Sequence, residues 1–361
     1  MPDPLDAADL RARVQDCVDT ELAAQSEVLA EVGPDAQALL SAVASLLSGG
    51  KRLRAAFLFW GYRAAGQPDS PGLIRLATAM EFFQAAALIH DDVMDDSDTR
   101  RGLPAAHRVL AARHNSEAWA GDADRFGVAG AILAGNLCLN WTEELFSTCG
   151  LPADHLARAR PVFDRMRTQL MGGQFLDVVE SARPWAGLPT EERLERARRV
   201  IRFKSAKYTI EHPLLIGATA GGAGADDLTA LSRYGLDLGH AFQLRDDLLG
   251  VFGDPASTGK PAGDDLREGK RTVLIAHTLA GTDERGRELV ETGLGRPDLD
   301  EDGVATLREV IVASGAVDAV EAEIAQLADA ARLALKSTSG LEAGAVDVLD
   351  QLIDFSTARS S

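Results

Sequence analysis

The chain has 361 residues, with Lys plus Arg at 37 against Asp plus Glu at 55, a formal net charge of −18, and 46% hydrophobic residues. That hydrophobic share excludes a disordered chain, and ordinary Gly and Pro usage excludes a collagen-like or low-complexity one. The acidic balance argues against nucleic-acid binding, which needs a basic footprint, and requires a local basic cluster for any anionic ligand.

Ala, Leu, Arg and Glu dominate, and alternating β-branched runs are scarce, so the chain reads as helix after helix. Residues 5–31 carry Leu10, Val14, Val18, Leu22 and Leu29 at helical spacing. A second helix over 35–48 ends at Gly49-Gly50. A third over 51–65 stops near Gly66-Gln67-Pro68, and a long apolar helix over 72–95 ends in acids. Helical patterns follow at 126–149, 154–181, 190–221, 226–252, 271–281, 302–315 and 317–335, with breaks at 114–125, 182–189, 253–264 and 282–300. No break reads as a tether and no fixed-period repeat occurs, so residues 1–361 read as one all-α domain built as a helical bundle. The longest apolar stretches, such as Phe82 to Ile89, fall short of the ~20 residues of a membrane span. Met1 to Leu10 has acids and no basic-then-apolar leader pattern. Scattered Cys17, Cys138 and Cys149 form no metal-ligand spacing or disulfide framework, which favours a reducing, cytoplasmic setting.

The strongest chemical signal is His90-Asp91-Asp92-Val93-Met94-Asp95-Asp96-Ser97-Asp98-Thr99-Arg100-Arg101-Gly102. On a continuing helix, Asp91 and Asp95 are four apart and share a face. Like charges there repel, and they follow the apolar run Ala85 to Ile89. Carboxylate oxygens so placed, with water and phosphate completing the shell, suit Mg²⁺. The alternative, a solvated acidic helix end, is weakened because acids at a helix C-terminus oppose the macrodipole. A second pair, Asp246-Asp247, lies in another apolar helix pattern. Alone it reads as surface; two such elements facing each other would clamp a polyphosphate through bridging Mg²⁺.

Phosphates also need fixed cations. Gly49-Gly50-Lys51-Arg52-Leu53-Arg54 puts basic residues at a helix start, where backbone N–H groups add to an anion site. Lys51 and Arg54 are three apart and share a face. The bland alternative is a C-cap followed by a solvated basic turn. Arg100-Arg101, Lys204-Ser205-Ala206-Lys207, Gly259-Lys260-Pro261 and Gly269-Lys270-Arg271-Thr272 are each weak alone, with charge neutralisation or a solvated face as the alternative.

In order, these elements, together with Gly172-Gly173-Gln174 and Asp177 and with Phe242-Gln243, resemble the trans-isoprenyl diphosphate synthase (polyprenyl synthetase) family over roughly residues 45–275. The finer likeness is to actinobacterial geranylgeranyl diphosphate synthases. The resemblance implies antiparallel helices around a deep apolar cavity, usually in a homodimer. The implied chemistry is head-to-tail condensation of isopentenyl diphosphate onto an allylic diphosphate. Asp91, Asp92 and Asp95 would bind two Mg²⁺, and Asp246 with Asp247 a third. Arg100, Lys204 and Lys260 would grip the allylic diphosphate, and Lys51, Arg54, Gln84 and Arg101 isopentenyl diphosphate. Lys204, Ser205 and Gln243 would be catalytic, the last two beside the reacting carbons. No side-chain base stands out, so released pyrophosphate would accept the proton.

The sequence departs from the family pattern at Ala55, Ala105 and Asn136, and at Gly250, where a third acid is usual; Asp254 is a possible substitute. Ser205 keeps a hydroxyl where Thr is common. Ala87 and Ala86 lie four and five residues before Asp91, where short-product enzymes often carry an aromatic at the fifth position. Phe83 lies eight back, about 12 Å by helix rise. Small residues above a Phe83 floor imply geranylgeranyl diphosphate, with farnesyl or longer diphosphates as neighbouring readings. Phe83 has the alternative of packing on a neighbouring helix. His90, His107 and His240 read as orienting or packed residues, since metal-site histidines cluster. A class I terpene cyclase would not need the second cationic pocket of Lys51, Arg54 and Arg101. A non-catalytic partner subunit would usually lose the aspartates.

Overall fold

Caps and apolar faces delimit the helices of the computed structural model, which describes residues 4–253, 263–296 and 298–358. Their contacts divide into two units, one running to Ala159 and including Gly217–Gly222, the other comprising Arg160–Ile216 and the residues from Ala223 onward.

The first unit holds α1 (Leu10–Val32), α2 (Gln37–Leu47), α3 (Leu53–Ala64), α4 (Pro71–Met94), a hairpin of β1 (Thr99–Arg100) and β2 (Leu103–Pro104), α5 (Ala106–Ser116) and α6 (Ala123–Thr148). The Ser70 hydroxyl starts α4 by accepting the Leu73 N–H, with Pro71 in the first turn. This helix is apolar on all sides, so it is buried, packed against α1, α3 and α6. Phe82 meets Trp141 of α6 edge-on, ring centroids 6.0 Å apart. At mean hydropathy 1.4, α4 is long and apolar enough to cross a membrane, which corrects the expectation that no stretch reaches that length. However, 72% of its apolar window is buried inside the protein, as in a core helix.

In the second unit, α7 (Ala153–Ala182, its residues through Ala159 counting with the first unit) precedes α8 (Thr190–Val200), a π-helical segment (Ile201–Glu211) and α9 (His212–Gly221, its residues from Gly217 counting with the first unit). Then come α10 (Ala225–Phe252), α11 (Asp264–Arg267), α12 (Val273–Gly281), α13 (Glu284–Gly293), α14 (Glu301–Ala313), α15 (Ala316–Lys336) and α16 (Ala343–Thr357). The core gathers Leu244, Leu248, Leu266, Leu274, Ile311 and Ile324 around α10; burial of each such side chain is worth roughly 1.5–3 kcal/mol. Polar ties fix α10 further. The buried Tyr234 hydroxyl donates to the Leu349 carbonyl at 2.7 Å, and Arg245 forks onto Glu321 at 2.5 and 2.6 Å.

The predicted helix over 190–221 changes character in its middle. The His212 N–H bonds the Lys207 carbonyl, five residues back, so the turn is wide. Flanking helices admit it only where they lack side chains. A Cβ on Gly173 would stand 2.5 Å from the Lys204 amide nitrogen, and one on Gly239 2.6 Å from the Ala206 Cα. The predicted break over 282–300 contains α13, started by Asp283 accepting the Gly286 N–H at 2.8 Å. Three further helices, α5, α11 and α16, lie where no helix was predicted.

Candidate active site

The end of α4 carries the first acidic element. Asp95 caps the helix with its N–H on the Asp91 carbonyl at 2.8 Å, so these two acids stand one turn apart, as predicted. Asp92 turns inward and is 2% exposed. Its Oδ1 accepts Arg100 Nε at 2.7 Å and also an Nη of the same guanidinium, which lies 3.4 Å from Asp91. The hairpin delivers Arg100. Arg101 (φ 54°) and Gly102 (φ 74°) both take the positive φ that a type I′ turn requires. The outer acids Asp96 and Asp98 are exposed and pair with Arg108 at 3.1 and 2.6 Å. The acidic run therefore splits into an inner set, Asp91, Asp92 and Asp95, and an outer pair tied to arginine. His90 Nε2 lies 3.3 Å from the Ile132 carbonyl, and burial lowers the pKa of His107.

Beside this element is a basic group. Arg52 sits ahead of α3 in the left-handed region (φ 54°) and is 4% exposed. It bonds Glu81 at 3.0 Å, Gln15 at 2.5 Å and the Leu47 carbonyl at 2.6 Å, and so acts as a strut. Because α3 starts only at Leu53, Lys51 lies outside it, and the predicted shared helical face with Arg54 does not form. Lys51 is exposed and Arg54 half-buried in the first turn. Arg101 lies over Gly50 and donates to the Leu46 carbonyl at 3.0 Å. Desolvation lowers the Arg101 pKa; Arg52, Arg54 and Arg100 push the same way, and Glu81 opposes them. A guanidinium so crowded gains from an anion. Gln84 is half-buried seven residues before Asp91, on the same side of α4. Phe83 and Ala86 are buried in the packing, whereas Ala87 is half-buried.

The second acidic element lies on α10. Asp247 is 6% exposed and accepts the Gln243 amide at 2.8 Å. Burial pushes its carboxyl up to about 7; Asp265 and Asp246 add to the rise, while Gln243 and Lys270 oppose it. Gln243, predicted beside reacting carbons, thus has its amide engaged by Asp247 one turn on. Half-buried Ser205 lies in the π-helical segment beside Lys204, whose Nζ reaches Asp177 of α7 at 2.5 Å. Burial holds His240 down to about 4, in keeping with a packed residue. Lys260 and Asp254 lie outside the described residues.

The donors suit a hard cation. Asp91, Asp95, Asp246 and Asp247 offer only carboxylate oxygens, and buried Asp247 is short of positive charge. Among the described residues, no three of His, Cys, Asp and Glu close around one point. Mg²⁺ keeps water and substrate phosphate in its shell, so it does not demand such a cage. Sequence reading gave no role to Arg52, Glu81, Asp177 or Arg108. Glu81 did leave a signal: an acid between Met80 and Phe82 in an apolar helix needs a buried partner.

Residues 36–311 match the polyprenyl synthetase family. The chain is 40% identical to a geranylgeranyl pyrophosphate synthase from Corynebacterium glutamicum, solved in complex with isoprenyl diphosphate and magnesium, with TM-score 0.91 over 97% of this chain and 98% of that one. It is 31% identical to geranylfarnesyl diphosphate synthase of Aeropyrum pernix over 86% of this chain and 91% of that protein. It is 32% identical to (2E,6E)-farnesyl diphosphate synthase of Mycobacterium bovis over 74% of this chain and 68% of that protein.

Proposed function

The chain belongs to the polyprenyl synthetase family and is a prenyltransferase, and from that premise we propose that it joins isopentenyl diphosphate head-to-tail to an allylic diphosphate, with geranylgeranyl diphosphate as the main product. The observation that carries this reading is a pair of distinct cationic groups beside one acidic element. Arg100 grips Asp91 and Asp92, while Arg101 is crowded by Arg52 and Arg54. A terpene cyclase handles one diphosphate and has no use for the second group; a synthase must hold two.

In this reading Asp91, Asp92 and Asp95, and Asp246 with Asp247, hold Mg²⁺, three ions in all. Bound Mg²⁺ neutralises the diphosphate and favours its departure. Arg100, Lys204 and Lys260 take the allylic diphosphate; Lys51, Arg54, Gln84 and Arg101 take that of isopentenyl diphosphate. Arg100 and Lys204 are already held in place by Asp92 and Asp177, so little side-chain entropy is lost on binding. Ser205 and Gln243 orient the reacting carbons, and apolar walls exclude water while allylic cation character develops. The departing pyrophosphate accepts the proton lost from the new chain. Ala87 and Ala86 leave room for that chain above Phe83, its floor. Residues 1–361 act as one prenyltransferase domain, in a cytoplasmic homodimer.

The test incubates the purified protein with Mg²⁺, labelled isopentenyl diphosphate and each allylic primer in turn, then extracts and sizes the product. A twenty-carbon prenyl diphosphate is expected. Incorporation that stops at fifteen carbons or runs beyond twenty rejects the product assignment, and no incorporation with any primer rejects the reading itself. Phe83→Ala should shift the distribution to longer chains; an unchanged distribution removes Phe83 as the floor.

A further inference from the structure

Helix α8 carries four arginines, and their partners differ. Arg196 meets Glu192 at 2.6 Å, Arg198 forks onto Glu323 at 3.0 and 2.9 Å, and Arg199 pairs with Glu195. Arg193, the one buried member of the four at 6% exposed, has no such acid. Its Nε and Nη2 donate to the Trp185 carbonyl at 3.2 and 3.0 Å, and among the described residues its Nη1 bonds nothing.

A second guanidinium stands on the same tryptophan. Arg271, just ahead of α12, lies over the Trp185 ring with its Cζ 5.9 Å from the centroid, and its buried Nε has no partner among the described residues. Among those residues neither Arg193 nor Arg271 has a carboxylate within 4.0 Å. Desolvation lowers the pKa of both. Glu291 of α13 acts against that in each case, and Arg287, also on α13, adds to it at Arg193. Three guanidiniums thus gather near one exposed acid that pairs with none of them. A buried charge is costly unless it is paired, and a carbonyl offers a dipole rather than a counter-charge. A chain of net charge −18 has acids to spare for a purely structural pair, as the rest of α8 demonstrates.

We propose that Arg193 and Arg271, set on Trp185, form a binding site for a phosphoryl anion, either free phosphate or pyrophosphate or the diphosphate end of a prenyl chain. A guanidinium presents paired N–H donors that match phosphate oxygens, and these two are held on one residue before the anion arrives. Neither arginine is among the residues assigned to Mg²⁺ or to the two substrates, so failure of this site leaves the condensation chemistry untouched.

Binding of labelled inorganic phosphate and of labelled pyrophosphate to the full chain is measured by equilibrium dialysis, in EDTA so that sites requiring a divalent cation stay unloaded. Saturable binding is expected. Arg271→Gln should weaken it at least roughly tenfold, the scale of a lost charge-assisted hydrogen bond. Glu291→Gln removes the opposing acid and should tighten binding about threefold. Arg199→Gln and Glu195→Gln change the net charge by the same amounts at a paired, exposed site on α8 and should bind as wild type does. Absence of saturable binding, or wild-type binding by folded Arg271→Gln, overturns the site. An equal loss in Arg199→Gln does so too, because the charge of the whole chain would then be responsible. If circular dichroism shows Arg271→Gln unfolded, exposed Glu291 decides: tightening in Glu291→Gln supports the proposal, and no change overturns it. Unlabelled geranyl diphosphate separates the two sources. Displacement of the Arg271-dependent label at lower concentration than pyrophosphate requires assigns the site to a prenyl diphosphate, and displacement only at equal or higher concentration assigns it to the free anion.

Discussion

At the end of α4 an arginine meets the acids; on α10 an amide does. Arg100 reaches Asp92 and Asp91 from a hairpin that begins only a few residues later in the chain. Asp247 is as deeply placed but is held by neutral Gln243, and its carboxyl rises to about 7. The nearby lysine, Lys270, is engaged by Asp265 and Glu268; burial opposes its charge, but those acids raise its pKa well above the ordinary value. The first element thus has an arginine built against Asp92, while Asp247 of the second meets a neutral amide in a setting that disfavours its charge. Removing a carboxylate should therefore have opposite structural consequences in the two places, although both removals should harm catalysis.

Catalysis gives the largest expected effect. Asp91→Asn and Asp246→Asn should each lower kcat on the order of a thousandfold, the scale for losing a preorganised charge at a departing anion, with melting temperatures close to wild type. Steady-state kinetics on folded protein checks this. Near-normal turnover in either variant would remove that element from the reaction and end the comparison as one of function.

Stability separates the elements next. Asp92→Asn leaves the Arg100 guanidinium, 15% exposed, without its main counter-charge. Breaking such a buried pair costs about 3 kcal/mol or more, visible as a lower urea midpoint. Asp247→Asn replaces an acid whose charge the fold disfavours and should be neutral or stabilising near pH 8. Equal losses in the two variants would show that the arginine makes no difference. Gly239→Ala is a control away from both acids. Its Cβ would meet the Ala206 backbone, and such overpacking costs about 1–3 kcal/mol. It should also raise KM for the allylic substrate by displacing Lys204, two residues earlier in the π-helical segment.

Much of this was legible in the sequence. Predicted spans of 72–95 and 226–252 meet helices at Pro71–Met94 and Ala225–Phe252, because caps and continuous apolar runs are local signals. The acids of α4 were legible for the same reason. What escaped depends on distant neighbours or on weak local contrast. The wide turn at 201–211 exists because glycines on α7 and α10 admit it, and no period within the segment announces that. Lys51 leaves the helical face because Arg52 takes a left-handed conformation to reach Glu81, twenty-nine residues on. In α13 only Leu289 and Val290 are large apolar residues, too few to display a period. Gly250 was legible as a gap, but its contact with Asp265 was not, since the two residues lie far apart in the sequence.

The smallest effect tests the protonation of Asp247 directly. Its folded value of about 7 lies above the ordinary 3.8, so the folded chain binds a proton that the unfolded chain has released over the window between them. Stability from this group is therefore fully present below about pH 4 and is lost as pH rises through about 7. Asn at 247 carries no such proton. The melting temperature of wild type minus that of Asp247→Asn, measured without divalent cation, should fall by a few degrees between pH 4 and 7 and level off above. Saturating Mg²⁺ with pyrophosphate should flatten the slope, because a bound cation stabilises the ionised carboxylate. Asp92→Asn offers the contrast: its deficit against wild type should not shrink as pH rises through 7, since the missing partner of Arg100 is an ionised acid. A pH-independent difference for Asp247→Asn would mean that Gln243 and Lys270 already hold that carboxylate ionised, and the two acidic elements would then differ in geometry but not in charge.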